Sequence, residues 1–267
     1  MTDARVTFRG FDVIRVAVDD FGSAVASWRD QLGWRPSAVS AGRATFPLDG
    51  ASIDLSPTAQ GQLPGVTGVS VMVDDTELAA QRIESAGFSV ARTADGAVSL
   101  PARELNGLAL ELRQVNPGTP SNSTGPYKRI NHVVVAVDDD AAALQNWSTA
   151  FGSWPPLSMD SPEHANHVPV GIGWFGLTSS GTNAGAVQRF LDRRGQGVYA
   201  VGLVVNDWAR TLESLRRNGA RLLTDEHSNQ TFVHPATTHG VLIQVMAEWW
   251  SGPESEFHGE ALANPTP

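Results

Sequence analysis

The sequence predicts an α+β fold in which one strand–helix–strand–strand–strand (βαβββ) module occurs four times in tandem. Internal repetition is the main observation behind this prediction. The pentapeptide VAVDD occurs at 16–20 and again at 135–139, and Trp28 and Gly33 recur at the same spacing as Trp147 and Gly152. Two further pairs of similar segments follow, at 65–87 with 197–219 and at 107–112 with 240–245. The chain is therefore a duplication, and each half holds two related modules.

Each module opens with a β-branched strand that ends in two polar residues at the point where a helix should begin. These pairs are Asp19-Asp20, Asp74-Asp75, Asp138-Asp139 and Asn206-Asp207. A carboxylate there caps the first turn and lies at the positive end of the helix dipole. An amphipathic stretch of about three turns follows each pair. It ends at a glycine suited to a helix C-terminus, namely Gly33, Gly87, Gly152 or Gly219.

Short strand-like runs complete the modules, at 51–55, 108–112, 170–177 and 241–246. The predicted domains are 8–114 and 128–249, joined by a linker at 115–127 that is rich in proline and glycine. A polar tail is expected at 250–267.

The composition excludes several classes of function. The chain has 267 residues and a net charge of −9, which disfavours binding to nucleic acid or to anionic membranes. Cysteine is absent, so disulfides, thiolate catalysis and cysteine-ligated metal sites are excluded. No apolar run is long enough to span a membrane, and we expect a cytoplasmic protein.

Four such modules in two pairs resemble the vicinal oxygen chelate superfamily, which includes glyoxalase I, extradiol dioxygenases, methylmalonyl-CoA epimerase and the bleomycin-resistance proteins. The second half is most similar to epimerase-like members, through AVQRFLDRRGQG at 186–197 and FVHPATTHGVLIQV at 232–245. The resemblance implies that paired modules form open, U-shaped sheets. It also implies a divalent metal held by the first strand and a late strand of each module, because such a metal can polarise a substrate carbonyl.

The resemblance carries over only part of the metal site in the second half. His132 matches a first-strand ligand, whereas Ala200 stands where the family has histidine. Gln244 replaces the late-strand carboxylate, and the fourth position falls near Gly176. His132 and Gln244 are therefore an incomplete set of metal ligands, which makes a divalent metal a doubtful cofactor for this chain.

The corresponding positions in the first half are Val13, Gly68, Asp54 and Glu111. Strand alternation directs Arg15 into the same cavity, toward Glu111 and Asp54. An arginine–carboxylate cluster can replace a metal, so the first domain is expected to be metal-free. An anion-recognising pocket around Arg15 is the alternative, and Glu111 is then a further candidate ligand contact.

Two interpretations of the second cavity stay open. His132 is either an inherited histidine bonded to Gln244 or a catalytic base or ligand contact. Ala200 and Gly202 are small and widen the cavity for a bulky organic ligand. Trp174 or Phe175 faces inward, which makes Trp174 a candidate ligand contact. His164 and His167 lie three residues apart in an expected loop, and His234 and His239 bracket an expected turn at 234–239. Whether any of these four histidines completes a metal site stays open.

The leading hypothesis is a protein that binds a small organic ligand with carbonyl or vicinal oxygen groups in the second domain. The resemblance implies isomerase, epimerase or lyase chemistry by proton abstraction next to a carbonyl, with His132 as the base. The alternative is a non-catalytic, antibiotic-like binding protein with a degenerate metal site, and an extradiol dioxygenase ranks lower. A monomer and a homodimer both remain compatible with the tandem repeat.

Overall fold

The computed structural model describes residues 6–115, 125–151, 157–158, 166–180, 185–223 and 229–248. Most of the predicted linker (115–127) and the whole predicted tail (250–267) lie outside these residues. Within the described part of the chain, no helix is long and apolar enough to cross a membrane.

The described residues form two mixed sheets of eight strands each. The first sheet has the order β2-β3-β4-β1-β5-β8-β7-β6 and the second the order β10-β11-β12-β9-β13-β16-β15-β14. The strands of the first sheet are β1 (Phe8–Val18), β2 (Ala38–Ser40), β3 (Arg43–Leu48), β4 (Ala51–Pro57), β5 (Gly65–Val73), β6 (Ala91–Arg92), β7 (Val98–Leu100) and β8 (Leu110–Gln114). Those of the second are β9 (Tyr127–Ala136), β10 (Leu157–Ser158), β11 (Asn166–Val170), β12 (Gly173–Thr178), β13 (Gly197–Val205), β14 (Leu222–Leu223), β15 (Gln230–Val233) and β16 (Leu242–Met246). Each sheet therefore repeats the same strand order, as four βαβββ modules in two pairs require.

The two sheets also share their internal register. Strands β5 and β8 pair in parallel with Ser70 opposite Glu111, and β13 and β16 pair in parallel with Gly202 opposite Gln244. Glu111 and Gln244 thus occupy the same place in their respective sheets.

A helix follows the opening strand of each module, as predicted. These helices are α1 (Phe21–Asp30), α2 (Thr76–Ser85), α3 (Asp140–Phe151) and α5 (Trp208–Arg217); α4 (Ala186–Arg194) and the single turn α6 (Pro235–Thr238) are additional. The second acidic residue of each predicted pair caps its helix: the side chains of Asp20, Asp75, Asp139 and Asp207 accept hydrogen bonds from the backbone three residues later. The capping prediction is confirmed.

Two local predictions are corrected by the structure. The run at 170–177 is not one strand, because Gly171 adopts a φ of 68° and the chain turns there between β11 and β12. The segment after β15 is not an open turn but contains α6, which begins at Pro235. A proline at the first helical position fits a helix start, since its missing N–H would have no partner there.

The chain divides into two compact units that do not follow the order of the sequence. One comprises the described parts of Met1–Arg15, Val66–Pro120 and Val134–Tyr199, and the other those of Val16–Gly65, Ser121–Val133 and Ala200–Pro267. Each unit has an aromatic core. In the first unit the rings of Phe11, Trp147, Phe151 and Phe175 pack together, and in the second those of Trp28, Trp34, Phe46 and Tyr127.

Candidate functional site

His132 lies on β9 and is almost completely buried, with 1% of its surface exposed. Its Nε2 atom is 2.9 Å from Oε1 of Gln244 on β16, and its Nδ1 atom is 3.1 Å from Nδ2 of Asn131. The imidazole packs directly over Gly202 of β13, where a Cβ atom would overlap the ring. The small residue at 202 therefore makes room for the histidine itself rather than for a ligand.

The hydrogen bonds of His132 belong to a longer chain of five hydrogen-bonded side chains, which we call the polar relay. Its members, in order, are Arg129, Asn131, His132, Gln244 and Gln230. Arg129 Nη1 donates to Asn131 Oδ1 over 3.1 Å, and Gln244 Nε2 donates to Gln230 Oε1. Because the amide nitrogen of Asn131 is a donor, Nδ1 of His132 must accept and Nε2 must carry the proton. Every bond of the relay then runs in one direction, and the imidazole is neutral with both ring nitrogens engaged.

The charged end of the polar relay is partly withdrawn from solvent. Burial lowers the pKa of the Arg129 guanidinium from its ordinary value, and the nearby carboxylate of Glu248 opposes that effect. The other four members of the relay are uncharged in this arrangement.

The metal that the family resemblance implies does not fit the second half. Of the four family positions, Ala200 and Gly176 carry no donor atom, and His132 and Gln244 are bonded to each other. Across the described residues, no group of three or more His, Asp or Glu side chains is placed to hold a metal ion.

The remaining candidate histidines have other surroundings. His167 does not lie in a loop, as expected, but on β11, where it is buried with its ring edge-on to Trp174 at 3.9 Å between centroids. Trp174 is indeed turned away from the aromatic core that holds Phe175, and it fills the space above Gly176. His164 lies outside the described residues.

His234 and His239 flank the short helix α6. Nδ1 of His234 accepts a hydrogen bond from the backbone N–H of Ala236 over 3.0 Å and caps the helix. Burial, with a smaller contribution from Arg221, lowers the pKa of His234 below its ordinary 6.5. His239 ends the helix with a left-handed backbone, φ 57°. The lone pair of His234 is thus already used for a structural contact.

The first half places charged groups at its family positions. Arg15 on β1 contacts Glu111 on β8, with 3.0 Å between Nη2 and Oε1. Ser70 Oγ lies 3.4 Å from the same oxygen, and Arg113 Nε also donates to it. Asp54 binds Arg43 instead of Arg15, so the expected three-residue cluster is not formed. The two carboxylates at family positions in this half therefore have arginine partners, and a metal does not fit here either.

Arg113, two residues after Glu111 on β8, is the second cation bound to Glu111. Partial burial disfavours its charge, but the bond to Glu111 and the charges of Asp95 and Asp12 outweigh that effect and raise the pKa of Arg113. Glu111 is consequently shared between two cations.

A cavity of about 480 Å³ opens beside Arg15, and we call it the Arg15 cavity. Its volume lies within the range of small-molecule sites. Polar groups line one part, from Arg15, Glu111 and Ser99, and apolar groups line another, from Leu100 and Leu110. Gly68 also lines the cavity, and a Cβ there would make only ordinary van der Waals contacts with Ala109 and Arg15.

Sequence reasoning found Arg15, Glu111, His132 and Gln244 but missed several partners. Asn131 and Gln230 were not singled out, because each lies beside other polar residues of its strand: Asn131 precedes His132 in β9, and Gln230 precedes Thr231 in β15. The residues of β7 that line the Arg15 cavity gave no signal, since nothing in their pattern distinguishes them from an ordinary strand.

Comparison with known proteins agrees with this fold. The model of the Glyoxalase/Bleomycin resistance protein/Dioxygenase superfamily matches residues 129–245, a stretch within the second half of the chain. No curated protein matches the chain in sequence.

Three solved structures share the fold at low sequence identity. A triple mutant of 4-hydroxymandelate synthase from Streptomyces coelicolor matches with a TM-score of 0.69 and 14% identity, over 90% of this chain and 92% of that one. The manganese(II)-bound glyoxalase from Novosphingobium aromaticivorans matches with a TM-score of 0.68 and 14% identity, over 91% and 83%. A xylose isomerase-like TIM barrel/4-hydroxyphenylpyruvate dioxygenase fusion protein matches with a TM-score of 0.68 and 13% identity, over 91% of this chain; the chain spans 50% of that protein's length.

Proposed function

We propose that the chain is a non-catalytic binding protein for a small organic molecule, built on the glyoxalase/bleomycin resistance/dioxygenase fold, with its ligand in the Arg15 cavity. The observation that carries this proposal is the contrast between the two halves. In the second half the family positions are filled by the polar relay, whereas the first half keeps an open cavity of about 480 Å³ with polar and apolar walls.

The hydrogen bonding of His132 argues against its use as a base. A general base needs a free lone pair within reach of the proton that it removes. The lone pair of Nδ1 accepts from Asn131, and Nε2 carries a proton that it donates to Gln244. Catalysis at His132 would require both bonds to open.

Isomerase, epimerase or lyase chemistry in the second domain, with Gln244, Trp174 and Ala200 around the substrate, is the second candidate. The position of His132 at a family ligand site favours it. An extradiol dioxygenase is less well supported, because two histidines and a carboxylate do not converge at the family positions.

The test combines binding and turnover in matched variants. Gly68→Leu fills the Arg15 cavity, whereas Gly42→Leu makes the same change at a position with no atom within 4 Å of the added Cβ. Calorimetric titration with 2-naphthamide and 2-naphthol, two neutral two-ring probes, should show binding that Gly68→Leu abolishes and Gly42→Leu preserves. Binding unaffected by Gly68→Leu would contradict the proposed location.

Turnover separates the two candidate functions. We expect no substrate-dependent product when carbonyl compounds, including 2-oxo acids and thioesters, are incubated with the protein and followed by proton NMR. Multiple turnovers that disappear in His132→Gln would establish the enzyme and overturn the binding proposal.

A further inference from the structure

The Arg15 cavity contains a cation that can turn toward a ligand. The side chain of Arg15 is 37% exposed, and its Nη1 lies 3.7 Å from the place where a Cβ of residue 68 would stand. The guanidinium therefore borders the open space above Gly68. Its contact with Glu111 is made through Nη2.

Glu111 does not depend on Arg15 for its neutralisation. The side chain of Glu111 is only 17% exposed, and a carboxylate withdrawn in this way needs partners. It has a second cation in Arg113 and a hydroxyl in Ser70, both on the same oxygen as Arg15. Arg113 is itself held by Asp95, with 3.3 Å between Nη2 and Oδ2. If Arg15 moved away, Glu111 would keep an ion-pair partner.

The reverse does not hold for Arg15. Within the described residues, Glu111 is the one carboxylate within 4.0 Å of the Arg15 side chain. Glu111 is shared between Arg15 and Arg113, whereas an incoming carboxylate would bind Arg15 alone. The planar guanidinium can bind such a carboxylate through two parallel hydrogen bonds.

The rest of the cavity is lined by both polar and apolar side chains. Thr67 and Ser89 carry hydroxyls, and the guanidinium of Arg103 is paired with the adjacent Glu104 over 3.5 Å. Leu100, Pro101, Ala109 and Leu110 present apolar surface, and Ser99 adds a hydroxyl. This wall suits a flat hydrocarbon or aromatic body attached to the anionic group.

We propose that the ligand of the Arg15 cavity is a small organic carboxylate with an apolar body, bound by Arg15 in exchange for Glu111. This inference rests on the proposed binding function and names the ligand class. Glu111 then acts as an internal counter-ion that occupies Arg15 in the absence of ligand and competes with the ligand for it.

The experiment compares 2-naphthoate with 2-naphthamide, which has nearly the same shape and no charge, by calorimetric titration of the full chain at low salt. The wild-type protein should bind naphthoate about tenfold more tightly, as a charge-assisted hydrogen bond predicts. Arg15→Gln should bring the ratio of the two dissociation constants close to one. Arg43→Gln, which removes an arginine bound to Asp54, should leave the ratio unchanged.

Glu111→Gln should strengthen naphthoate binding, whereas Arg15→Gln should weaken it. A gain in affinity cannot come from a variant that merely fails to fold. Removing the competing charge should tighten naphthoate binding several-fold, about threefold or more, with little change for naphthamide. Weaker naphthoate binding in Glu111→Gln would overturn the exchange, since Glu111 would then be assisting rather than competing.

The failures of the two proposals differ. Equal binding of naphthoate and naphthamide, still abolished by Gly68→Leu, would overturn the carboxylate class and leave the cavity as a binding site. Absence of binding by both probes would overturn the binding function together with the ligand class.

Discussion

The two halves of the chain treat equivalent positions in opposite ways. Glu111 in the first sheet is a carboxylate shared by two arginines, and its counterpart Gln244 in the second is a neutral amide bonded to His132. Opposite these residues stand Ser70, whose hydroxyl lies 3.4 Å from Glu111, and Gly202, over which the His132 imidazole packs. The comparison shows two ways of satisfying buried polar groups without a metal. Ion pairing leaves an accessible arginine beside a cavity, whereas the polar relay closes the space with side chains.

The largest expected effect tests the close packing in the second half. Gly202→Ala places a methyl group inside the volume of the His132 ring, which must then move and break the polar relay. We expect a loss of about 3 kcal/mol in the free energy of unfolding, measured by urea denaturation. Gly42→Ala, in open space, should change it little. Equal stability of the Gly202→Ala protein would show that His132 is not held in this place.

Ser70 occupies the position in the first sheet that corresponds to Gly202, so its substitution tests the stability difference between the halves. Ser70→Ala removes one long hydrogen bond to Glu111 and leaves the two arginines in place. Its cost should be about 1 kcal/mol or less. A larger loss than that of Gly202→Ala would reverse the proposed difference between the halves.

The amide of Gln244 should matter more than the charge of Glu111. Gln244→Leu leaves the Nε2–H of His132 and the carbonyl of Gln230 without this partner, at a cost of about 2 to 3 kcal/mol. Glu111→Gln keeps the hydrogen-bond acceptor in a partly exposed ion pair, so we expect about 1 kcal/mol or less. Both values come from the same denaturation experiment, and similar losses would contradict the comparison.

Acid should affect the halves in two separate pH ranges. The pKa of His234 in the second half is lowered, so the unfolded chain binds more protons there and the stabilising contribution is lost as the pH falls below 6.5 through the folded value. Amide hydrogen exchange at 236–240, corrected for the intrinsic rate, should reveal opening of α6 between pH 7 and 5. His234→Asn keeps a capping side chain without a titrating group and should remove this pH dependence.

The first half should respond at lower pH. The Arg9 side chain lowers the pKa of Asp74 from 3.8, and Arg92 lowers the pKa of Glu77 and of Glu84 from 4.5. These contributions are present above the ordinary values and are lost as the pH falls through the lowered ones. Loss of protection around α2 before α6 opens would contradict this order.

The smallest difference between the halves is expected at their helix caps. Asp75 and Asp207 cap α2 and α5 with bonds of 2.9 and 3.0 Å. Asp75→Ala and Asp207→Ala should each cost about 1 kcal/mol. Thermal denaturation of the two variants would detect a difference, and a difference larger than the shared value would show that the caps are not equivalent.

Much of the fold could be predicted from the repeat and from the residues that begin and end its helices, because helix caps and terminal glycines act locally. The Asp caps and the positive φ of Gly33, Gly87 and Gly219 are examples. The prediction also linked Arg15 with Glu111 and His132 with Gln244, since strand alternation and the family positions give the facing direction of each side chain. That Asp54 binds Arg43 was not predicted, because it depends on the register of β3 against β4.

Cavity shape was the least predictable feature. Small residues at 200 and 202 suggested an enlarged second cavity, but a glycine can equally admit a neighbouring side chain, and here the imidazole of His132 takes the space. Gly68 is likewise a glycine in a strand, but in the structure it lines a cavity instead of lying under a side chain. Only the positions of the neighbouring side chains distinguish the filled site at Gly202 from the open site at Gly68.

A crystal structure of the protein grown with 2-naphthoate and manganese(II) would test the central claim most directly. We expect naphthoate in the Arg15 cavity with its carboxylate on the Arg15 guanidinium, and an intact hydrogen bond between His132 Nε2 and Gln244 Oε1. Manganese coordinated by His132 with Gln244 turned toward it, or naphthoate bound beside His132, would contradict it.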